Sequence, residues 1–379
     1  MVRQFSPSIG GLEEAVAKLG GALQARGLDI RVVTLDRIAK SGPERLPTRG
    51  TVDGVAVHRI PFRGSWRYPV APGVLREIAD VDLVHVHGID FFFDFLALTR
   101  PLHGKPLVAS THGGFFHTSF ARRAKQAYFA SVTRASALGY RAICASSQSD
   151  YALFRPIAAR RLVLAPNGVD IDKWSGLGSA QPLRRLLYVG RLSSNKNLAA
   201  LFPLLRELRR LHPAWSLTVA GRPWDVTVPD LRADAMRADV AEAVTVLESP
   251  SDAIIAAAIG SSSYIVSASR HEGFGISIVE GLSAGLVPIL SRIPPFTTLV
   301  RDGGVGLTLD FADTAGAATA IEMQHQALMR EPRGVRETAM RAARPYSWAT
   351  STDIVQHAYD IALQGGRTRG LERPLRMNS

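Results

Sequence analysis

The sequence predicts a two-domain α/β protein built on parallel sheets, and three observations carry that expectation. Strand-like and helix-like segments alternate through both halves. The 379 residues suffice for two domains at about 150 residues each, and a stretch rich in glycine, serine and aspartate separates the halves. In the first half, Ile30–Leu35 is a short β-branched run, Val55–Pro61 alternates, and Leu83–Val86 and Leu107–Ser110 are further apolar runs. Leu12, Val16, Leu19 and Leu23 recur at helical spacing behind a pair of glycines. The strand before those glycines reads only MVRQF, which is short for a first strand and leaves open both a clipped first sheet and whether the native start lies upstream of Met1. In the second half, Arg185–Val189 precedes a helix carrying Leu198, Phe202, Leu205 and Leu208. Leu217–Ala220 and Tyr264–Ser267 are again strand-like, the latter leading into a helix after Gly275. Gly168–Pro182 reads as the linker. Beyond a break at Pro345, Trp348–Leu363 is amphipathic, and residues 366–379, with four arginines and one glutamate, read as a disordered basic tail.

Lysine and arginine number 45 against 33 acids, a formal net charge of +12. That balance favours an anionic partner, such as a phosphate-bearing substrate or an acidic lipid. Nucleic acid is not expected, because charge is the only argument for it and no binding motif is present. The single cysteine, Cys144, excludes an internal disulfide and a cysteine-rich metal site, and agrees with a reducing compartment. No run reaches the ~18 apolar residues of a membrane span, and the N-terminus lacks an apolar signal core. A soluble or peripherally attached protein is therefore expected.

Three constellations bear chemistry. SRHEGFGISIVEGLSAGLVP, Ser269–Pro288, follows a buried strand and opens a helix. Gly273 and Gly275 let the backbone approach a ligand, and the free N–H groups of the new helix favour an anion. Glu272 and Glu280, eight residues apart, suit the hydroxyls of a sugar or ribose, since carboxylates accept hydrogen bonds; a helix cap with a solvated glutamate is the alternative. In VGRLSSNKN, Val189–Asn197, Arg191 and Lys196 follow a strand and would neutralise a diphosphate beside a helix N-terminus without a metal, or else are solvated surface charge. In SPSIGG, Gly10 and Gly11 sit at the first strand–helix turn, where a phosphate or sugar can lie against the backbone. No dinucleotide fingerprint, phosphate loop or nucleophile elbow occurs. His85 and His87 alternate onto one face, a hint of metal that lacks a matching acidic or cysteine ligand. His112, in THGG after a strand, is better placed to touch a substrate.

Together these segments resemble family 4 of the retaining glycosyltransferases, whose GT-B fold sets two Rossmann-like domains around a central cleft. The resemblance spans nearly the whole chain. It rests on Gly10–Gly11, HVHG at His85–Gly88, THGG at Thr111–Gly114, APNGVD at Ala165–Asp170, VGRLSSNKN, and the E-x7-E segment. It implies an acceptor-binding domain over 1–168, a nucleotide-sugar domain over 183–345, and a helix over 348–365 crossing back to the first domain. It further implies that Arg191 and Lys196 hold the donor diphosphate and Glu280 the ribose. Glu272, with Gly273, Phe274 and Gly275, would hold the donor sugar; Gly10 and Gly11 would shape its pocket, and His112 would contact it near the reacting carbon. QFSPSIGGLEEAV and GIDFFFDFLALTRPLHGKPLVASTHGGFFHT resemble more particularly exopolysaccharide mannosyltransferases, which move α-mannose from GDP-mannose to a polyprenyl-diphosphate-linked oligosaccharide. One departure is ESPSD after Val244–Leu247, where such enzymes often carry a glycine-bearing loop near the base.

No cofactor or metal is expected. Between Phe115 and Tyr140, aromatics mix with Arg122, Arg123, Lys125 and Arg134, which suits an anionic membrane surface or a lipid-linked diphosphate; a helix packed by its aromatics is the alternative. Phe91, Phe92, Phe93 and Phe95 would add a hydrophobic acceptor groove. The expected place is the cytoplasmic face of the cell membrane. Competing readings are a nucleotide-sugar 2-epimerase, a transferase using a UDP-sugar, and a non-catalytic nucleotide-sugar-binding partner.

Overall fold

The computed structural model describes residues 1–8, 10–38, 44–66, 68–113 and 122–364, excepting the side chains of Arg122, Ala124 and Lys125. The expected basic tail at 366–379 lies outside the described residues. The chain forms two compact units, one comprising Met1–Gly168 with the segment from Trp348 onward, the other Val169–Ser347.

In the first unit, β1 (Arg31–Leu35), β2 (Arg49–Val52) and β3 (Val55–Ile60) pair in the order β1-β3-β2, with β1 and β3 parallel. A hairpin of β4 (Arg63–Ser65) and β5 (Tyr68–Val70) follows. The strands β6 (Val84–His87), β7 (Leu107–Ser110), β8 (Ala142–Ala145) and β9 (Leu162–Leu164) form a second, wholly parallel sheet in chain order. Every residue of β6, β7 and β8 is buried, as expected of parallel strands covered on both faces. Between β1 and β6 lies the chain start. Val2 donates its N–H to the Val33 carbonyl (3.1 Å), and the Met1 carbonyl accepts from the His87 N–H (2.8 Å). The expected first strand is thus reduced to a single parallel bridge between Val2 and His87. The helix Gly11–Gln24 follows, burying Val16, Leu19 and Leu23 at the spacing that predicts it, with Glu13 and Glu14 favourably placed in its positive first turn.

The helix Trp348–Leu363 belongs to this unit and buries Val355, Ala358, Tyr359 and Ala362 against Leu19, Leu23, Val108 and Cys144. Its Ser351 hydroxyl donates to the Pro166 carbonyl (2.7 Å), and Asp353 pairs with Arg26 (2.7 Å).

The second unit is one parallel six-stranded sheet. Its strands are β10 (Arg185–Val189), β11 (Ser216–Gly221), β12 (Val244–Glu248), β13 (Tyr264–Ser267), β14 (Val287–Ser291) and β15 (Leu307–Leu309). They lie in the order β12-β11-β10-β13-β14-β15, which is the nucleotide-binding order of a doubly wound sheet. The order reverses between β10 and β13, so the loops leaving those neighbours diverge to opposite faces and open a crevice at their C-terminal ends. Residues 169–182, expected as a free linker, instead pack onto this unit. Trp174 is buried in its core, and the N–H groups of Gly176, Gly178 and Ser179 donate to the carbonyls of Ser283 (3.0 Å), Ala284 (2.8 Å) and Ser262 (3.1 Å).

Candidate active site

In the second unit the loops leaving β10 and β13 meet at the switch point. The Arg270 N–H donates to the Asn195 carbonyl (2.9 Å), and the Asn195 amide donates back to the His271 carbonyl (2.8 Å). Lys196 and Glu272 form a direct ion pair with both side chains largely shielded, at 18% and 20% exposure. A cation and a carboxylate given separate roles by the sequence are therefore partners in the structure. Arg191 is exposed, its guanidinium 5.3 Å from the ring centre of Trp224.

The first loop is held from below. Asp225 accepts from the N–H (2.9 Å) and hydroxyl (2.7 Å) of Ser194, and the Tyr188 hydroxyl donates to the Arg191 carbonyl (2.8 Å). Burial and then the Glu272 charge push the Tyr188 phenol up, keeping it a neutral donor. The helix expected directly after the loop begins later, at Leu201; Ser194–Lys196 is a single 3-10 turn. Lys196 is thus placed by its ion pair, not by a helix N-terminus.

In the second loop, Gly275 holds φ 94° as the cap of the helix Ile276–Ser283, and a side chain there would strike Phe296 at 2.9 Å. Only glycine combines that dihedral with that contact. Phe274 packs edge-on to Tyr346 with ring centres 5.3 Å apart, leaving the backbone of Gly273 open. Glu280 is half-buried about one turn into the helix. A hollow of about 370 Å³ in the same unit is lined by Ile171, Ser283, Met340 and Arg341 among others and includes no residue of these loops. The switch point, which has both the topology and the charges, is the better candidate.

The first unit presents a different set. His112 follows β7 with φ 51°, a left-handed backbone that costs a non-glycine residue free energy. Buried Asp150 supports it by accepting from the Thr111 hydroxyl (2.6 Å), the Gly113 N–H (2.9 Å) and the Ser146 hydroxyl (2.8 Å). The His112 Nε2 lies 2.8 Å from His87 Nδ1. His85 in turn meets the Tyr359 hydroxyl through Nδ1 (2.8 Å) and the Ser110 hydroxyl through Nε2 (2.8 Å). Burial pulls His85 and His87 well below the usual imidazole range and His112 down to about 4, so all three are neutral at pH 7. Both ring nitrogens of His85 face hydroxyls, and among the described residues no group of three or more His, Cys, Asp or Glu stands together to hold a metal. Gly10 is extended (φ −171°) and Gly11 opens the first helix, with the Glu13 carboxylate folded back over Gly10. That carboxylate repels a phosphate and welcomes a hydroxyl, which favours the sugar of the two ligands expected there.

One expectation is corrected. Phe91, Phe92 and Phe93 do not line a groove: they are buried in the core, on a helix (Phe91–Leu98) capped by Asp90. The basic segment is a helix Arg122–Tyr128 continued by a π turn Phe129–Thr133 and Arg134–Ala137, whose aromatics pack inward. The Tyr128 hydroxyl bonds to Asp94, and Phe129 meets Phe154 edge-on at 5.1 Å. Arg123 and Arg134 are exposed; residues 114–121 and the side chains of Arg122 and Lys125 lie outside the described residues. Sequence reasoning missed Asp150, Asp225 and Trp224, each brought to its loop by pairing between distant segments.

Known proteins that the chain resembles show its family and its fold. Residues 9–173 match the model of Glycosyltransferase Family 4, and residues 175–326 that of Glycosyl transferases group 1. The chain is 42% identical over 371 residues to the GDP-mannose:cellobiosyl-diphosphopolyprenol alpha-mannosyltransferase of Xanthomonas campestris, covering 97% of this chain and 98% of that protein. It is 43% identical to the protein of the same description from Komagataeibacter xylinus, over 94% of this chain and 90% of that one. Its structure superposes on a glycosyltransferase from Rickettsia africae with a TM-score of 0.72 at 16% identity, over 96% and 98% of the two chains, which shows a shared fold.

Proposed function

The chain belongs to glycosyltransferase family 4, and on that premise we propose that it moves an α-mannosyl residue from GDP-mannose to a polyprenyl-diphosphate-linked oligosaccharide, retaining the anomeric configuration. Glycosyl transfer is the activity of the family; donor, acceptor and stereochemistry are our reading, supported by the names of the relatives. The observation that carries it is the Lys196–Glu272 pair at the switch point. Lys196, with Arg191, meets the diphosphate. Glu272, with the backbone of Gly273, Phe274 and Gly275, accepts from the sugar hydroxyls, and Glu280 accepts from the ribose. On the first unit, Gly10, Gly11 and His112 address the donor sugar.

In the transfer step the acceptor oxygen bonds to the anomeric carbon as the bond from that carbon to the β-phosphate oxygen breaks, on the same face of the ring. The acceptor proton passes to the departing phosphate oxygen. Charge growing on that phosphate is met by Arg191, Lys196 and the N–H groups opening the helix at Ile276. These side chains supply the positive charge, so no metal or other cofactor is required, and a chelator is expected to leave activity intact.

Incubation with GDP-mannose and a polyprenyl-diphosphate-linked cellobiose tests the reading. An acceptor lengthened by one α-linked mannose supports it. A free donor with altered sugar indicates an epimerase, and product formation only from a UDP-sugar replaces the donor.

Among the described residues no helix is long and apolar enough to cross a membrane. We place the first unit against the anionic cytoplasmic face. Leu98 and Leu102 are each 80% exposed and Leu138 is 60% exposed, with Arg123 and Arg134 also exposed on the basic helices. The sequence adds Arg122 and Lys125. Co-sedimentation with anionic but not neutral liposomes is expected; no binding at low salt would remove the membrane surface from the proposal.

A further inference from the structure

Among the described residues, one ring nitrogen of His112 makes a hydrogen bond in regular geometry. Its Nε2 lies 2.8 Å from His87 Nδ1, while its own Nδ1 is closed to solvent and meets no hydrogen-bond partner in bonding geometry among the described residues. The Asp150 charge and then the Asn167 side chain offset part of the effect of burial on His112. A buried nitrogen without a partner is uncommon and marks a place kept for a ligand.

The two imidazoles are neutral, so one proton lies between them and two arrangements exist. If His87 accepts, His112 carries its proton on Nε2 and offers a bare lone pair at Nδ1. If His87 donates, Nε2 is the acceptor and the His112 proton must sit on Nδ1. The His87 ring is held in place by its neighbours. It lies 4.0 Å from His85, centre to centre, and His85 is fixed by Ser110 and by Tyr359 of the returning helix.

We propose that His87 is the positioning residue of the donor-sugar site: it donates its Nδ1–H to His112 Nε2 and so fixes the tautomer in which His112 presents Nδ1–H to a sugar oxygen. The inference rests on the reading of His112 as a sugar contact. A donor suits that place, because a sugar hydroxyl oxygen accepts from an N–H without a change of protonation.

The test compares His87→Leu, His87→Asn, His112→Ala and the double variant His87→Leu/His112→Ala, with kcat and KM measured for GDP-mannose. His87→Leu is expected to lower kcat about 10- to 100-fold, as loss of an outer-shell partner does elsewhere, with KM nearly unchanged. His87→Asn, whose amide N–H occupies the place of Nδ1–H, restores most of the rate. The double variant is no slower than His112→Ala, since both changes remove one function. Nitrogen-15 spectra of the histidine-labelled wild type show His112 as the Nδ1–H tautomer, a readout that survives even if a variant fails to fold. An Nε2–H tautomer, a wild-type rate in His87→Leu, or additive losses in the double variant would each overturn the assignment. Full activity in His112→Ala would instead sink the sugar-contact reading beneath it.

Discussion

The two units reverse strand order at equivalent places, yet they equip those places with opposite chemistry. In the second unit the reversal lies between β10 and β13, which pair directly, and the loops above them carry Lys196, Glu272 and Arg191. In the first unit the reversal is spanned by one bridged residue, Val2, and the end of β6 with the neighbouring loops carries three neutral histidines, two glycines and a carboxylate over a helix start. A diphosphate needs fixed positive charge, and a charged pair near the surface keeps it at modest desolvation cost. A sugar near its reacting carbon needs neutral donors and acceptors, which burial provides by suppressing imidazole charge. Like topology therefore does not impose like recognition; the side chains at the crevice decide it.

The sharpest way to break this contrast is to remove the cation of the second unit. Lys196→Ala is expected to lower kcat about 10²- to 10³-fold, the scale of losing one fixed donor to developing charge. The fold should survive, because Lys196 lies on a 3-10 turn outside the core. A circular dichroism melt close to wild type together with that loss supports the role; near-wild-type turnover removes Lys196 from the diphosphate site.

A smaller effect follows from the neutral histidines and falls on stability instead. An imidazole whose folded pKa is lowered binds its proton more readily unfolded, so stability is complete above the unfolded value of about 6.5 and declines as pH falls toward the folded one. For His112 that window runs from 6.5 down to about 4, and across it the loss reaches about 3 kcal/mol at most. His85 and His87 shift in the same direction, while Asp150, which faces His112, softens its share. Calorimetric melting from pH 7 to pH 5 should therefore show a falling transition that His112→Ala flattens. A pH-independent transition would mean that the histidines are not held neutral.

How much of this was legible depended on sequence distance. Arg185–Val189 and Tyr264–Ser267 read as strands because short apolar runs between polar loops have few other solutions. The E-x7-E segment read as a ligand loop because Gly275 stands where a helix must start. The pairing of Lys196 with Glu272 spans 76 residues and exists only because β10 and β13 become neighbours, which no local period encodes. Asp150 belongs to no sequence motif, and its role exists only because β7 and β8 bring Thr111 to it across 39 residues. The run FFFDF looked like an open aromatic groove, but its short helix is covered on most sides, and three of its phenylalanines fill the core. Residues 168–182 had linker composition, yet from Val169 on they belong to the second unit, where Trp174 anchors them.

The smallest predicted effect probes how finely the charged crevice is tuned. Trp224 is 70% exposed, a large aromatic with little reason to face water except the guanidinium of Arg191 beside it. Its loop is tied to the Arg191 loop by backbone bonds from the Leu192 N–H to the Arg222 carbonyl (2.8 Å) and from the Trp224 N–H to the Leu192 carbonyl (3.1 Å), so the pair is held in register. An exposed cation–π contact of this kind contributes about 0.5–1 kcal/mol, which corresponds to a two- to fivefold change in affinity. Trp224→Ala is accordingly expected to lower kcat/KM for the nucleotide sugar about two- to fivefold by loosening Arg191, with a rise in KM as part of the loss. Trp224→Phe should recover most of the difference. A fall in kcat with constant KM would place Trp224 against the transition state instead, and would make the charged crevice depend on an aromatic as much as on its cations.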